Sequence, residues 1–290
     1  MIEPEPKSRI RSAAAFAPGH ITGFFLARTN PDPLSAGSMG CGLTLSLGAR
    51  TVVQISDETQ ILIDGLPSAA PVSRYVVEAL APSPVRVSTE LQMMMGAGFG
   101  ASGAGALGCA HSINMLFGLG LTCDAAAAVA HRAEVTSGTG LGDVIAQNTG
   151  GCVIRLHPGG PGVGKVDRIL LPPTRIFCSV RGPISTREIL SDPATMRRVN
   201  AAGERAIGEM LRRPTWESFL ELSYRFTQET ELASSWAADA IDAVRSAGGQ
   251  ASMIMLGDSV FAWGPGAEAA LSEFGPVIET WVTQGGVFID

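Results

Sequence analysis

The sequence carries no excess of basic residues, no Cys-x-x-Cys pair, no internal repeat and no low-complexity linker. Each absence removes a class of function. With 21 Lys and Arg against 27 Asp and Glu, the formal net charge is -6, and such a field repels nucleic acid and anionic membrane instead of collecting them. Neither is an expected partner, so an anionic small molecule has to be held by local cations. The five cysteines, Cys41, Cys109, Cys123, Cys152 and Cys178, are odd in number and widely spaced, which argues against a disulfide framework or a zinc knuckle and fits a reducing cytoplasm. The chain opens with Glu3 and Glu5, and its later apolar run breaks at Pro18-Gly19, so the charge order and apolar stretch of a signal peptide are not expected there. What is abundant is apolar mass, 46% hydrophobic residues against 17% charged, in a chain of 290 residues, longer than one core usually supports. Two compact domains are the expectation.

Between Glu90 and Asp124 there is no Asp, Glu, Lys or Arg at all. The run is long enough to span a bilayer. It also contains Gly96, Gly98, Gly100, Gly103 and Gly105 with Ser102, His111, Ser112 and Asn114, and a glycine-dense loop would leave backbone groups unpaired in hydrocarbon. A buried strand over 85–95, a glycine loop and a helix over 104–119 explain it better. Upstream, 51–55 and 60–63 read as strands, the second closed by the hairpin dipeptide Asp64-Gly65. Downstream, Asp124 is placed to cap a helix reaching 135, 138–142 reads as a loop, and strand character resumes at Val144 and runs through 153–154. A turn-dense stretch at 158–165 and Pro172-Pro173 close this half, giving domains of 1–182 and 183–290 with the boundary near Gly182-Pro183. Beyond it helices are expected over 186–190, 193–211, 216–231 and 236–247. Strands over 251–256 and 260–263 pair across Gly257-Asp258, followed by a helix at 267–274 and a strand at 278–282. The layout is α+β.

Three glycine patterns compete for a phosphate-binding role. Gly98-Phe99-Gly100-Ala101-Ser102-Gly103 spells the dinucleotide fingerprint, but the acidic residue that would hold a ribose is missing, since Asp124 heads an alanine helix. Gly159 through Gly164-Lys165 nearly spells a Walker loop, yet Val166 stands where Ser or Thr should ligate metal, and a strand follows instead of a helix; a surface turn is the better reading. The first loop, asked for less, lets backbone N–H groups close around phosphate oxygens at the positive end of the next helix, with the Ser102 hydroxyl offered to magnesium. Close packing of a helix on a sheet would select the same small residues. A second constellation weighs in favour of phosphate: Glu134 near a helix end, where the dipole disfavours it, and Asp143 after Gly138, Gly140 and Gly142 in a segment otherwise free of charge. Magnesium with nucleotide phosphates suits such a pair, because that ion takes oxygen ligands and keeps only one or two protein carboxylates.

These segments together resemble a family. Phe16-Ala17-Pro18-Gly19-His20-Ile21-Thr22-Gly23-Phe24-Phe25 resembles the opening motif of the GHMP kinases (galactokinase, homoserine kinase, mevalonate kinase, phosphomevalonate kinase), in the form found in archaeal pantoate kinases. The glycine loop resembles the family's phosphate loop, Gly138 to Asp143 the loop with its catalytic aspartate, and Ala251-Ser252-Met253-Ile254-Met255-Leu256-Gly257 its C-terminal motif. The resemblance implies a two-domain α+β kinase, the N-terminal domain like ribosomal protein S5 domain 2 and the C-terminal one ferredoxin-like, with ATP between them. It implies that Gly96, Gly98, Phe99, Gly100, Ala101, Ser102, Gly103 and Ala104 wrap the phosphates, that Ser102 and Glu134 hold Mg2+, and that Asp143 contacts the acceptor hydroxyl. The implied reaction is ATP plus pantoate to ADP plus 4-phosphopantoate, a step of archaeal coenzyme A synthesis. A kinase for another small alcohol, mevalonate- or homoserine-like, and a catalytically silent nucleotide-binding relative are the alternatives. Three departures stand out: His20 where the family often has Lys, a glycine directly before Asp143, which lies nine residues after Glu134, and Met255-Leu256 where relatives carry glycines. For the pantoate carboxylate the candidates are His20, His131, Arg132 and Arg155, each of which could equally be structural. Ser185 and Thr186 read as a helix cap, and a homodimer is the default expectation for a metabolic enzyme.

Overall fold

The computed structural model describes residues 10–290, so Glu3 and Glu5 lie outside the described residues. Its spine is an antiparallel pair of long strands, β1 (Ser12–Arg28) and β2 (Gly37–Ile55), in register from Ser12 opposite Gln54 to Arg28 opposite Gly37. The register shifts between Pro18 and Gly19 and again between Thr22 and Phe24. Such bulges re-aim the side chains beside them, and here they bracket His20 and Thr22. Next, β3 (Gln60–Ile63) turns through Asp64 and Gly65 into β4 (Leu66–Pro67); φ is positive at both turn residues, 49° and 78°, which is the geometry an Asp-Gly hairpin favours. After α1 (Pro71–Leu80), β5 (Val85–Leu91) pairs antiparallel with β2 and parallel with β3. The half closes with α2 (Ala101–Phe117), α3 (Cys123–Ser137), α4 (Asp143–Thr149) and the hairpin of β6 (Cys152–His157) and β7 (Lys165–Ile169), which docks on the first part of β2.

The remainder runs β8 (Arg175–Gly182), α5 (Thr186–Ser191), α6 (Pro193–Arg212), α7 (Trp216–Thr230), α8 (Ser235–Ser246), β9 (Gln250–Met253), β10 (Asp258–Trp263), α9 (Ala267–Ser272), β11 (Val277–Trp281) and β12 (Phe288–Ile289). Two sheets result. The larger has the order β12-β1-β2-β5-β3-β4 with β6 and β7 attached through β2, and the smaller has the order β11-β8-β10-β9. The chain crosses between them more than once: β8, which ends at Gly182, joins the second sheet, and β12 returns to the first by pairing with β1.

α2 is apolar around most of its circumference and is buried, as a helix without a polar face must be. The uncharged stretch is therefore core, and among the described residues no helix is long and apolar enough to cross a membrane. On the other side of β1, α6 and α7 approach so closely that glycine is required. A Cβ on Gly203 would overlap the Phe25 carbonyl oxygen and come 2.7 Å from the Leu26 side chain.

The described structure corrects the sequence expectations at four places. The cap of α3 is Thr122, whose hydroxyl accepts from the Ala125 N–H at 3.2 Å, and the Asp124 carboxylate instead accepts from the Asn148 amide at 2.9 Å. Residues 144–149 are helical and strand begins only at Cys152, because a short helix here buries Val144, Ile145, Ala146 and Gln147 all around its axis and that burial outweighs β-propensity. The opening motif and 37–50 are strand where none was read, and β12 is an additional strand. The Walker-like stretch is the β6–β7 turn, with no helix after it; its first residues are buried, Gly160 beneath the His131 ring.

Replacing a helix-interior glycine by alanine ordinarily stabilises by about 1 kcal/mol. Gly203→Ala is expected to do the reverse, because overpacking costs roughly 1–3 kcal/mol. Thermal unfolding should show a Tm lower by several degrees, and an unchanged or higher Tm would contradict the close approach of α6 and β1.

Candidate active site

The glycine loop links β5 to α2 and carries positive φ at Gly96, Gly98 and Gly100, with Ala97 and Phe99 buried between them as anchors. At Gly98 the constraint is double: φ is 83°, and a Cβ would stand 2.8 Å from both the Ile254 side chain and the Met255 carbonyl oxygen. Three neighbours pin the loop. His20 N–H donates to the Phe99 carbonyl at 2.9 Å, the Gln147 amide to the Gly100 carbonyl at 2.9 Å, and Ile184 N–H to the Gly96 carbonyl at 2.9 Å. α2 begins immediately afterwards with Gly100 as its cap and no side-chain acceptor for its first turn. N–H groups at the positive end of a buried helix thus face the cleft at Ala101 and Ser102, an arrangement that attracts anions.

Glu134 lies in the last turn of α3 and is buried, accepting from Ser102 Oγ at 2.6 Å and from Thr139 Oγ1 at 2.8 Å. Burial pushes its carboxyl up to about 7; the Ser102 bond opposes this, the nearby Asp143 charge adds to it, and the Thr139 bond opposes it again. Asp143 is the first residue of α4, its Oδ1 2.7 Å from His20 Nδ1. The loop between the two carboxylates passes because Gly140 has no side chain. A Cβ there would overlap Glu134 Oε2 and come 3.2 Å from Asp143 Oδ2.

Arg155, on β6, closes the back of the cleft. It is almost completely buried, with Nη1 3.4 Å from His20 Nε2, Nη2 3.5 Å from Thr22 Oγ1, and Nε without a hydrogen-bond partner among the described residues. Burial lowers its pKa, while the nearby Asp143 charge acts the other way. Gly142 lies flat on the guanidinium, where a Cβ would overlap Ser38 Oγ and sit 2.8 Å from Nε. Beside it the cleft has an apolar wall from Phe25, Leu141 and Met255 and a second hydroxyl from Ser38. The C-terminal motif braces the arrangement: Met255 N–H donates to the Thr22 carbonyl at 3.1 Å, and Gly257 is pressed against the backbone of Ala97.

One cleft of about 430 Å³ therefore gathers the glycine loop, Ser102, Asp143, Arg155 and the C-terminal motif, with Glu134 directly behind Ser102. His20 is buried behind Asp143 and is not part of the cleft wall. His131 is buried elsewhere, its Nε2 2.9 Å from the Ala36 carbonyl oxygen, and Arg132 is half-exposed at 3.9 Å from Asp32; neither lines the cleft. Ser185 caps α5 by accepting from Glu188 N–H at 3.3 Å, yet Ile184, Ser185 and Thr186 also form the rim. Phe25 and Leu141 belong to motifs the sequence shows without being singled out there, whereas Ser38 and Gln147 carry no sequence signal that marks them for the site; only their place in the fold does.

The donor set suits magnesium carried by phosphates. Among the described residues no group of three or more His, Cys, Asp or Glu could hold an ion alone, and no ion pair reaches Glu134. A buried hydroxyl and a buried, unpaired carboxylate are what remains, which fits an ion that takes most of its oxygens from phosphate and water. Among the described residues the one lysine, Lys165, starts β7 and does not line the cleft.

The raised Glu134 carboxyl has a consequence for stability. Its neutral form suits the fold, so its contribution is fully present below the ordinary value of 4.5 and is lost as pH rises through about 7, an effect of at most about 3 kcal/mol. Glu134→Gln in the nucleotide-free protein should raise Tm by a few degrees at pH 8 and by little at pH 4.5. An equal shift at both pH values would contradict the burial of an uncompensated carboxyl.

Residues 69–151 match the family model described as the GHMP kinases N terminal domain. The chain is 36% identical over 263 residues to a pantoate kinase of Thermococcus kodakarensis, covering 86% of each, and 34% identical over 281 residues to a pantoate kinase of Methanospirillum hungatei, covering 94% of each. A solved structure described as a phosphotransferase related to the CoA biosynthesis pathway superposes with a TM-score of 0.87 at 32% identity, over 96% of this chain and 98% of the other.

Proposed function

Because this chain belongs to the pantoate kinase family of the GHMP kinases, we propose that it transfers the terminal phosphoryl group of ATP to the 4-hydroxyl of pantoate, giving 4-phosphopantoate and ADP. The observation that carries this reading is a buried guanidinium with unused donors beside an apolar wall, in the same cleft as a helix N-terminus and an acidic pair. Pantoate has the matching parts: a carboxylate, two geminal methyls and a primary hydroxyl.

The roles follow from chemistry. Backbone N–H groups from Gly98 to Gly103 receive phosphate oxygens, while that of Ala104 is bonded to the Gly100 carbonyl at 2.9 Å; Ser102 with Glu134 would hold Mg2+, which when bound neutralises charge on the phosphates. Phosphoryl transfer asks little covalent work of a protein and depends on positioning and charge. Asp143 accepts the hydrogen of the acceptor hydroxyl and turns the oxygen towards phosphorus; a new O–P bond forms, the bond to the ADP oxygen breaks, and the hydroxyl proton goes to the carboxylate. Arg155, with the hydroxyls of Thr22 and Ser38, holds the pantoate carboxylate, while Phe25, Leu141 and Met255 cover its methyls. Pantothenate, in which that carboxylate has become an amide, leaves the guanidinium unpaired and should be rejected. The five cysteines among the described residues are free, which supports work in the cytoplasm, and a symmetric dimer is the state we expect in solution.

A coupled ADP-release assay with pantoate, pantothenate, mevalonate and homoserine tests the reading. ADP should appear with pantoate alone, and turnover with another acceptor in preference to pantoate would overturn it. Asp143→Asn should lower kcat by about 10²–10⁴ with ATP still bound. Arg155→Gln should raise the KM for pantoate roughly 10- to 100-fold while that for ATP moves little.

A further inference from the structure

Arg155, His20 and Asp143 form a buried row from the back of the cleft to its reacting edge. The His20 ring has no exposed surface, its Nδ1 lies 2.7 Å from Asp143 Oδ1, and its Nε2 lies 3.4 Å from Arg155 Nη1. A guanidinium carries only donors and a carboxylate only acceptors. The ring nitrogen facing Arg155 must therefore present its lone pair, and the one facing Asp143 its hydrogen. Burial opposes a charged ring here, and the two charged groups beside it, Asp143 and Arg155, act in opposite senses. The backbone holds the ring in place: His20 N–H is bonded to the Phe99 carbonyl, and across the strand pair a Cβ on Gly42 would overlap Nε2. With Oδ1 of Asp143 taken, Oδ2 is the oxygen left beside Gly140 in the loop that ends at the cleft.

We propose that His20 is a positioning residue: fixed as the neutral Nδ1–H tautomer by Arg155, it clamps Oδ1 of Asp143 and so selects Oδ2 as the oxygen that meets the acceptor hydroxyl. This assigns to His20 a part different from contact with the substrate carboxylate. It also links two ends of the site, since the group that holds the acceptor's carboxylate sets the tautomer that orients the base. The identity of the hydroxyl rests on the kinase reading, but the tautomer does not.

Nitrogen-15 NMR of the histidine rings in the wild-type protein at pH 7 reads the tautomer directly, with the His20 signals assigned by their loss in His20→Asn. A hydrogen on Nδ1 and a bare Nε2 are expected; an imidazolium or an Nε2–H ring overturns the proposal. Kinetics give the second readout. His20→Gln and His20→Ala remove the donor to Asp143 and should lower kcat roughly 10- to 100-fold with KM for pantoate and ATP within about threefold, the cost of a misaimed reacting group. His20→Asn returns an amide N–H near the Nδ1 position and should recover about tenfold of that loss. A large rise in KM for pantoate with kcat unchanged marks direct binding instead and contradicts the proposal. If the variants fail to fold, the wild-type tautomer decides, and a wild-type protein that shows the tautomer but releases no ADP with pantoate contradicts the kinase assignment alone.

Discussion

The cleft buries charge that no other group among the described residues neutralises. Glu134 has two hydroxyl donors and no cation, and Arg155 has a histidine and a threonine within reach and no carboxylate within ion-pair distance. Removing an ion from water costs several kcal/mol unless a partner repays it. Glu134 relieves the cost by holding its proton to about pH 7, whereas a guanidinium has no such recourse at ordinary pH. The proposed function gives both groups a partner of opposite sign, a metal at one end of the cleft and a carboxylate at the other.

A site of this kind needs a scaffold that does not collapse onto its own unpaired groups. Here β1 supplies it, threading between α2 on one side and α6 and α7 on the other, with glycines where the layers come closest. The phosphate-loop candidate is not free to adapt, since it is tied to β1 through His20 N–H, to α4 through Gln147, and to the segment after β8 through Ile184. Donors fixed before the ligand arrives need no reorganisation when charge develops, which is where such sites gain most of their effect. Elements from both sheets take part, because the hairpin of β9 and β10 presses Gly257 against the glycine loop.

The parts of this design that were legible in the sequence are those with a local signature. Alternating glycines before an uncharged helix signalled a loop with unusual φ, and the helices beyond residue 186 followed from their length and caps, within a residue or two. What sequence could not show is what depends on partners distant along the chain. The opening motif, rich in Ala, Gly and Pro, does not look like strand; pairing with β2 and burial on both faces make it one. Residues 144–149 look like strand and are helix for the opposite reason. Among four cations offered for the acceptor, Arg155 alone lines the cleft, and nothing local distinguishes it from Arg132, which faces solvent.

The central claim is that an uncompensated, partly protonated Glu134 is the group that metal-bound nucleotide meets. Calorimetric titration with ATP at pH 7, in the presence of magnesium and in buffers of different ionisation enthalpy, counts the protons released on binding. Relative to Glu134→Gln, the wild-type protein should release about half a proton more, because a carboxyl titrating near 7 must ionise to meet a cation. Equal proton release from both proteins, with nucleotide bound equally well in the absence of magnesium, would contradict the account.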